Sequence, residues 1–221
     1  MNNKISQEEW EAIAHQLACP QGEQGLALGE KMNISNAFIT ECSINALAPG
    51  QDEKILEIGF GNGELSLPVI EAIGANGQFI GVETSSIMAQ QASVCFKQAG
   101  HSNVTILTDD CHLIDIEKHS LDAVLAVNVL YFIDDLDALF RKIRDWLKPG
   151  GRIVMGVRSS ELLQAMPFAQ FGFRLRELNE IKDAMRDVDF INVESDYFDE
   201  GFVEFNELKL SMGSLVIRAC K

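Results

Sequence analysis

Apolar positions along the chain change their period twice, and those changes divide it. Between residues 6 and 18, Trp10, Ile13, Ala14 and Leu17 recur at helical spacing. Ser6 with Glu9 three residues later forms a capping box at the start, and Cys19-Pro20-Gln21-Gly22 breaks the pattern. A glycine-containing segment from Gly22 to Gly29 precedes a second helical stretch, Met32 to Leu47, in which Ile34, Phe38 and Cys42 fall four apart and which Pro49-Gly50 ends. Fifty residues are too few for a domain of their own, so residues 1–50 are expected to form a helical cap over a main unit of residues 51–221.

From Lys54 the period alternates between strand and helix. Strands are predicted at Lys54–Gly59, Gln78–Glu83, Val104–Thr108, Leu121–Val127 and Arg152–Val157. Helices are predicted at Glu64–Ile73, with Pro68 about one turn in, and at about Ser86–Gln98. A third opens with Asp134 as N-cap and Asp137 three residues on, and puts Leu136, Leu139, Phe140 and Ile143 on one face. The nearly unbroken apolar run at 121–127 suits a strand covered on both faces, and the alternation implies a parallel sheet with helices on each side. Residues 159–176 are apolar without a clean period; a helix then carries Leu178, Ile181, Met185 and Val188. Two extended segments, Phe190–Phe198 and Leu208–Ala219, have only a loop between them. That leaves no room for a crossover, so they should be antiparallel, which gives an α/β, doubly wound, seven-stranded, mostly parallel sheet with a C-terminal hairpin.

Composition changes this picture little. At 221 residues, 47% hydrophobic and 23% charged, the chain suits a globular unit with its own core. No apolar run reaches membrane-spanning length, and the N-terminus lacks the apolar core of a signal peptide, so the cytoplasm is the expected location. Cys19, Cys42, Cys95, Cys111 and Cys220 lack metal or redox spacing and read as reduced thiols. The histidines form no i,i+4 pair, and no metal site is expected. A net charge of −15 argues against nucleic acid and anionic membranes as partners; the cluster Arg141, Lys142, Arg144, Lys148, Arg152 reads as a solvated helix face and turn. A small-molecule acceptor and a monomer or homodimer are expected.

The chemistry centres on Glu57-Ile58-Gly59-Phe60-Gly61-Asn62-Gly63, a glycine turn between a strand and a helix. A dinucleotide turn wants its third glycine at position 64, where this chain has Glu64, a carboxylate that would oppose a pyrophosphate. The turn resembles instead the first motif of the class I S-adenosylmethionine-dependent methyltransferases, which have a Rossmann-like fold. Gly81-Val82-Glu83-Thr84-Ser85 resembles that family's acidic ribose-binding motif, and Asp109-Asp110-Cys111 its adenine-binding motif. Leu121–Asp135 resembles its strand-four motif, and Leu147–Arg152 the turn before strand five. The resemblance covers about residues 50–158 and the closing hairpin, and is nearest to the ubiquinone/menaquinone-biosynthesis subgroup.

The resemblance implies S-adenosyl-L-methionine as cofactor, with S-adenosyl-L-homocysteine as product. It implies that Glu57 attracts the ammonium and that amides at Gly59, Gly61 and Gly63 receive the carboxylate. Glu83 would accept from the ribose hydroxyls, Asp110 from the adenine amine, and the Cys111 amide would donate to the ring. Thr84 and Met88 would flank the adenine, Met88 equally well being core, and Asn128 would lie near the methionyl part. After Asn128 the two prolines typical of base-amine methyltransferases are missing. Tyr131, Asp134 and His15 are candidate bases, Tyr131 equally well a packed residue. Met32, Phe38, Tyr131, Phe168, Phe171 and Phe173 are candidate acceptor-pocket residues, or else seal the cap to the sheet. A small, partly apolar acceptor is expected. The rival readings are an NAD(P)-type oxidoreductase and a non-catalytic S-adenosylmethionine-binding protein.

Overall fold

The structure, a computed structural model, describes residues 5–205 and 208–221. Seven strands form one sheet in the order β3-β2-β1-β4-β5-β7-β6. They are β1 (Lys54–Ile58), β2 (Gln78–Val82), β3 (Val104–Leu107), β4 (Leu121–Val127), β5 (Leu147–Arg158), β6 (Ile191–Phe205) and β7 (Leu208–Cys220). β1 to β5 run parallel, and β7 is antiparallel to both β5 and β6. The chain order reverses between β1 and β4, the switch point at which open α/β sheets leave a crevice. The doubly wound sheet and its closing hairpin match the expectation from sequence.

The helices are α1 (Gln7–Ala18), α2 (Gly22–Leu47), α3 (Leu67–Ile73), α4 (Ser86–Gln98), α5 (Leu136–Trp146), α6 (Ser160–Gln164) and α7 (Leu178–Asp187). Each face of the sheet has its own core. Phe140, Ile143 and Met185 of α5 and α7 pack with Leu56, Ile58 and Val124 on one side. Leu47, Val69, Ile70 and Phe96 of α2, α3 and α4 pack with Ile55, Phe79 and Leu125 on the other. Side chains alternate along a strand, so Glu57 shares the α2 and α3 side with Ile55.

Besides β6, which runs to Phe205 where Phe198 was expected, and α3, which starts at Leu67 rather than Glu64, three further differences from the sequence reading stand out. First, α2 starts at Gly22, ten residues before the expected Met32, and runs through Gly25 and Gly29. Glycine costs a helix up to about 1 kcal/mol relative to alanine, but here the missing side chains admit neighbours. A Cβ on Gly25 would lie 2.8 Å from the Pro20 carbonyl carbon, and one on Gly29 3.0 Å from Met88 Sδ. Second, the N-cap of α5 is Asp135, whose carboxylate accepts from Ala138 N at 2.9 Å. Asp134 lies one residue too early and is held by Arg174 Nε at 2.7 Å. Third, the turn Lys148–Gly151 is an excursion inside β5: Leu147 pairs with Leu121 and Arg152 with Ala123, leaving residues 148–151 looped out. Lys148 Nζ returns to the Asp122 carboxylate at 2.7 Å, so this cation fastens the loop. Arg152 bonds both carboxylate oxygens of Glu53 at 2.8 and 2.7 Å, which also removes it from the expected solvated patch.

Two arginines of β5 tie α2 to the sheet: Arg152 donates to the Leu47 carbonyl at the end of α2, and Arg158 holds its middle. Arg158, at the end of β5, donates to the Ser35 carbonyl on α2, to Ser214 Oγ on β7 at 2.7 Å, and to Glu200 on β6. The side chains of Arg158 and Glu200 are only 9% and 7% exposed, so removing one leaves the other buried and unpaired. Arg158→Met should therefore cost about 3–5 kcal/mol in urea denaturation, and Arg158→Met with Glu200→Gln should cost clearly less than the single change. Equal losses would show that the ion pair is not the tie.

Candidate functional site

The carboxyl ends of β1, β2 and β4 open with their following turns into one cleft, roofed by the end of α1 and one face of α2. It encloses about 1100 Å³, part of it open to solvent. Gly29, Met32, Asn33, Asn36 and Thr40 line the roof, at the spacing of one helix face. Below them lie the glycine turn, Val82 to Thr84, Asp109 to Cys111 and Val127 to Val129.

The glycines of the turn have separate reasons. Gly59, Gly61 and Gly63 all hold positive φ, at +72°, +61° and +82°, which favours glycine. A Cβ on Gly59 would strike Val129 at 2.4 Å, and one on Gly63 would strike Phe96 at 2.6 Å. Around Gly61 nothing lies within 4 Å: here the backbone faces the cleft. Gly63 does not line the cleft; its glycine serves the packing of α4.

Glu57 and Glu83 are both buried, at 4% and 6% exposure. Each Glu83 oxygen accepts one amide, Oε1 from Ser85 N at 2.9 Å and Oε2 from Gly61 N at 3.0 Å. Burial raises the Glu83 pKa and these amides oppose the rise. Glu57 has less support. Its Oε2 is buried without a hydrogen-bond partner. Burial pushes its pKa up to about 7, the nearby Ser66 hydroxyl offsetting part of this and Glu83 adding to it. Asp109 and Asp110 line the same cleft, and no lysine, arginine or histidine does so among the described residues.

Glu57, Gly59, Gly61, Glu83, Thr84, Met88, Asp110, Cys111 and Asn128 thus come together at one cleft. Cys111 is buried, and burial, with Asp110 adding, pushes its thiol up to about 12, so it stays protonated. Donor atoms of Asp110, Cys111 and His112 lie within 4.8 Å of one another, a grouping that sequence spacing did not suggest.

The candidate bases lie elsewhere. His15 is exposed on α1 beside Glu11, 3.9 Å away. Asp134 is exposed and bound to Arg174. Tyr131 is buried off the cleft; its hydroxyl donates to Asn128 Oδ1 at 2.6 Å and accepts from Arg158 N at 2.5 Å. Burial raises its pKa, so it remains a neutral phenol.

Of the expected acceptor-pocket residues only Met32 lines the cleft. Phe38 turns outward and packs edge-on to Phe198 at 6.0 Å. Phe168 packs between Trp10 and Phe173, at 6.5 and 5.5 Å, sealing α1 to the segment after β5. Phe171, half-buried in that segment, lies off the cleft. The wall is made instead by Leu17, Val129, Phe132, Ile133 and the α2 face. Asn33, Asn36 and Thr40 lie within the expected Met32–Leu47 helix, but on a different face from the apolar line Ile34, Phe38 and Cys42 that the sequence suggested.

Among the described residues no helix is long and apolar enough to cross a membrane. Residues 55–151 match the family described as methyltransferase domain. The chain is 28% identical over 132 residues to the protein-L-isoaspartate O-methyltransferase of Methanococcus aeolicus, covering 60% of this chain and 58% of that one. It is 30% identical over 100 residues to the demethylmenaquinone methyltransferase of Lactococcus lactis, covering 45% of this chain and 40% of that one. It therefore spans less than two thirds of either relative. A chain from the complex of the Haloferax volcanii Trm112 methyltransferase activator with a methyltransferase shares the fold, with a TM-score of 0.76 at 17% identity over 96% of this chain and 97% of that one.

The Glu57 pKa fixes a pH dependence. Its ordinary value is 4.5 and its folded value about 7. As pH rises between the two, the unfolded chain gives up this proton first, so the group lowers stability across that interval; about 3 kcal/mol is lost by pH 8. Glu57→Gln should therefore match the natural protein in urea denaturation near pH 4.5 and exceed it by roughly that amount at pH 8. A mutant no more stable at pH 8 would contradict the burial of an unpaired carboxylate.

Proposed function

We propose that the protein, whose residues 55–151 match the methyltransferase-domain family, is a class I S-adenosylmethionine-dependent methyltransferase that transfers a methyl group from S-adenosylmethionine to a small, partly apolar acceptor held beneath α2. The observation that supports this best is the charge of the cleft, which has four carboxylates and no cation among its described lining residues. Such a lining disfavours the pyrophosphate of a nicotinamide dinucleotide and favours a ligand with cationic groups. Glu57, buried with one oxygen unpartnered, suits an ammonium. The open space beside Gly61 lets a ligand lie against the backbone of the turn. The amides of Gly59, Gly61 and Gly63, which the sequence offered to the ligand's carboxylate, instead donate within the protein, to Val82 O, Glu83 Oε2 and Phe60 O. Glu83 has lone pairs left for a ribose diol after taking one amide on each oxygen. In this reading Asp110 and the Cys111 amide, which line the same cleft, take the adenine edge, with Thr84 and Met88 at its flanks and the Asn128 backbone by the methionyl end.

When bound, S-adenosylmethionine supplies a methyl group already activated by its sulfonium, so transfer breaks one carbon–sulfur bond, leaves that electron pair on sulfur and joins the methyl carbon to the acceptor. The protein's part is then alignment and exclusion of water. Met32, Val129, Phe132 and Ile133 give the acceptor an apolar wall. In this reading residues 1–50 act as the cap that encloses it. His15, Asp134 and Tyr131 all stand away from the cleft, so the reading assigns none of them as base.

S-adenosylhomocysteine at 100 times its dissociation constant should stabilise the protein by about 2.7 kcal/mol, roughly 5–10 °C in a thermal melt for a chain of this size. NADH should give no shift. Gly61→Arg, which fills the open space, should abolish the shift. No shift with S-adenosylmethionine or S-adenosylhomocysteine would refute the reading.

A further inference from the structure

The hydrogen-bond donors on the acceptor side of the cleft are fixed one after another. Arg158 N, a backbone donor with only one possible role, donates to the Tyr131 hydroxyl at 2.5 Å. The phenol is buried, so its own proton must go to the other neighbour, Asn128 Oδ1, at 2.6 Å. That orients the Asn128 amide, whose Nδ2 then donates to Asn36 Oδ1 at 2.9 Å. Asn36 is oriented in its turn: with Oδ1 toward Asn128, its Nδ2 is left without a protein partner among the described residues, at the cleft wall. The carbonyl of the preceding residue, Ser35, is held by Arg158, so the backbone that carries Asn36 is held as well. Asn128 itself sits at φ +56°, a left-handed conformation that asparagine tolerates better than most residues.

We propose that Asn36 is a specificity residue of the acceptor subsite, donating from Nδ2 to a neutral oxygen (carbonyl, amide or hydroxyl) on a molecule that carries no negative charge. This rests on the methyltransferase reading and narrows its substrate class. Besides Glu57, which the ligand's ammonium would pair, the cleft carries Glu83, Asp109 and Asp110, and these disfavour an anionic acceptor, with no lysine, arginine or histidine among its described lining to offset them. Met32, Val129, Phe132 and Ile133 take the apolar remainder. The line Arg158–Tyr131–Asn128–Asn36 keeps the donor aimed without touching the acceptor except at its last member.

The test uses the protein saturated with S-adenosylhomocysteine and three probes of one shape, benzamide, benzylamine and benzoate, with affinities read by ligand-observed NMR. Benzamide should bind the natural protein, and benzoate at least tenfold more weakly. Asn36→Asp should weaken benzamide two- to tenfold, the worth of one neutral hydrogen bond, and strengthen benzylamine, reversing their order. Tyr131→Phe frees the Asn128 amide to turn and should narrow the preference for benzamide over benzylamine without adding charge. Failure of benzamide to bind, benzoate binding as tightly as benzamide, or probe ratios unchanged in both variants would overturn the assignment of Asn36. A protein that does not bind S-adenosylhomocysteine would overturn the methyltransferase reading beneath it, an outcome visible before any probe is added.

Discussion

The site turns on one unfavourable contact, the Glu57 carboxylate, buried with an unpartnered oxygen at the end of β1. Nothing in the fold needs a charge there. Ile55 and Leu125, on the same face of the sheet, are fully buried apolar side chains, and an apolar residue at 57 would fit that pattern. A buried group of this kind lowers stability unless something else satisfies it. Under the proposed function its presence reflects a site tuned for a ligand at the expense of the ligand-free protein. Its neighbour Glu83 shows the contrast: equally buried, it is met by two amides, one from the glycine turn itself.

The rest of the architecture brings partners to this point. The reversal of strand order between β1 and β4 opens the crevice. The left-handed glycine turn passes beside it without filling it, and Phe96 and Val129 hold that turn in place through the two glycines that have no room for a side chain. α2 closes the crevice from above and approaches closely enough only because Gly29 admits Met88. Arg158 then fixes α2 to the hairpin strands, so the outer, antiparallel part of the sheet supports the roof of a site built on its parallel part.

The two halves of the site were unequally legible in the sequence. The proposed cofactor half stands at strand ends and in the turns after them, where local pattern fixes position. The alternation of strand and helix located those strand ends, and the family resemblance singled out Glu57, Gly61, Glu83 and Asp110 there. Gly63 shows the limit of that method: its conformation was readable from the turn, but not that Phe96 occupies the space a side chain would need. The proposed acceptor half depends on how α1 and α2 pack. Phe38 and Phe168 were apolar and nearby in sequence terms, yet each found an aromatic partner outside the cleft. Asn36 was missed although it lies in the expected helix, because the apolar line Ile34, Phe38 and Cys42 suggested a different buried face, whereas Ile34 and Phe38 are exposed and the face of Asn33, Asn36 and Thr40 meets the cleft. Asp134 and Asp135 differ by one position, and only the phase of the α5 N-terminus decides which one caps it. Local propensity described the glycines of α2 as a break; tertiary packing made them a contact surface.

The central claim, that Glu57 waits as a neutral acid for a cationic ligand group, is tested most directly by counting protons on binding. Calorimetric titration with S-adenosylhomocysteine at pH 6, in buffers of different ionisation enthalpy, measures that number. With a folded pKa of about 7, Glu57 is mostly protonated at this pH. Meeting an ammonium should ionise it, so close to one proton should be released per ligand bound, and Glu57→Gln should release none. Binding without proton release in the natural protein would contradict the account.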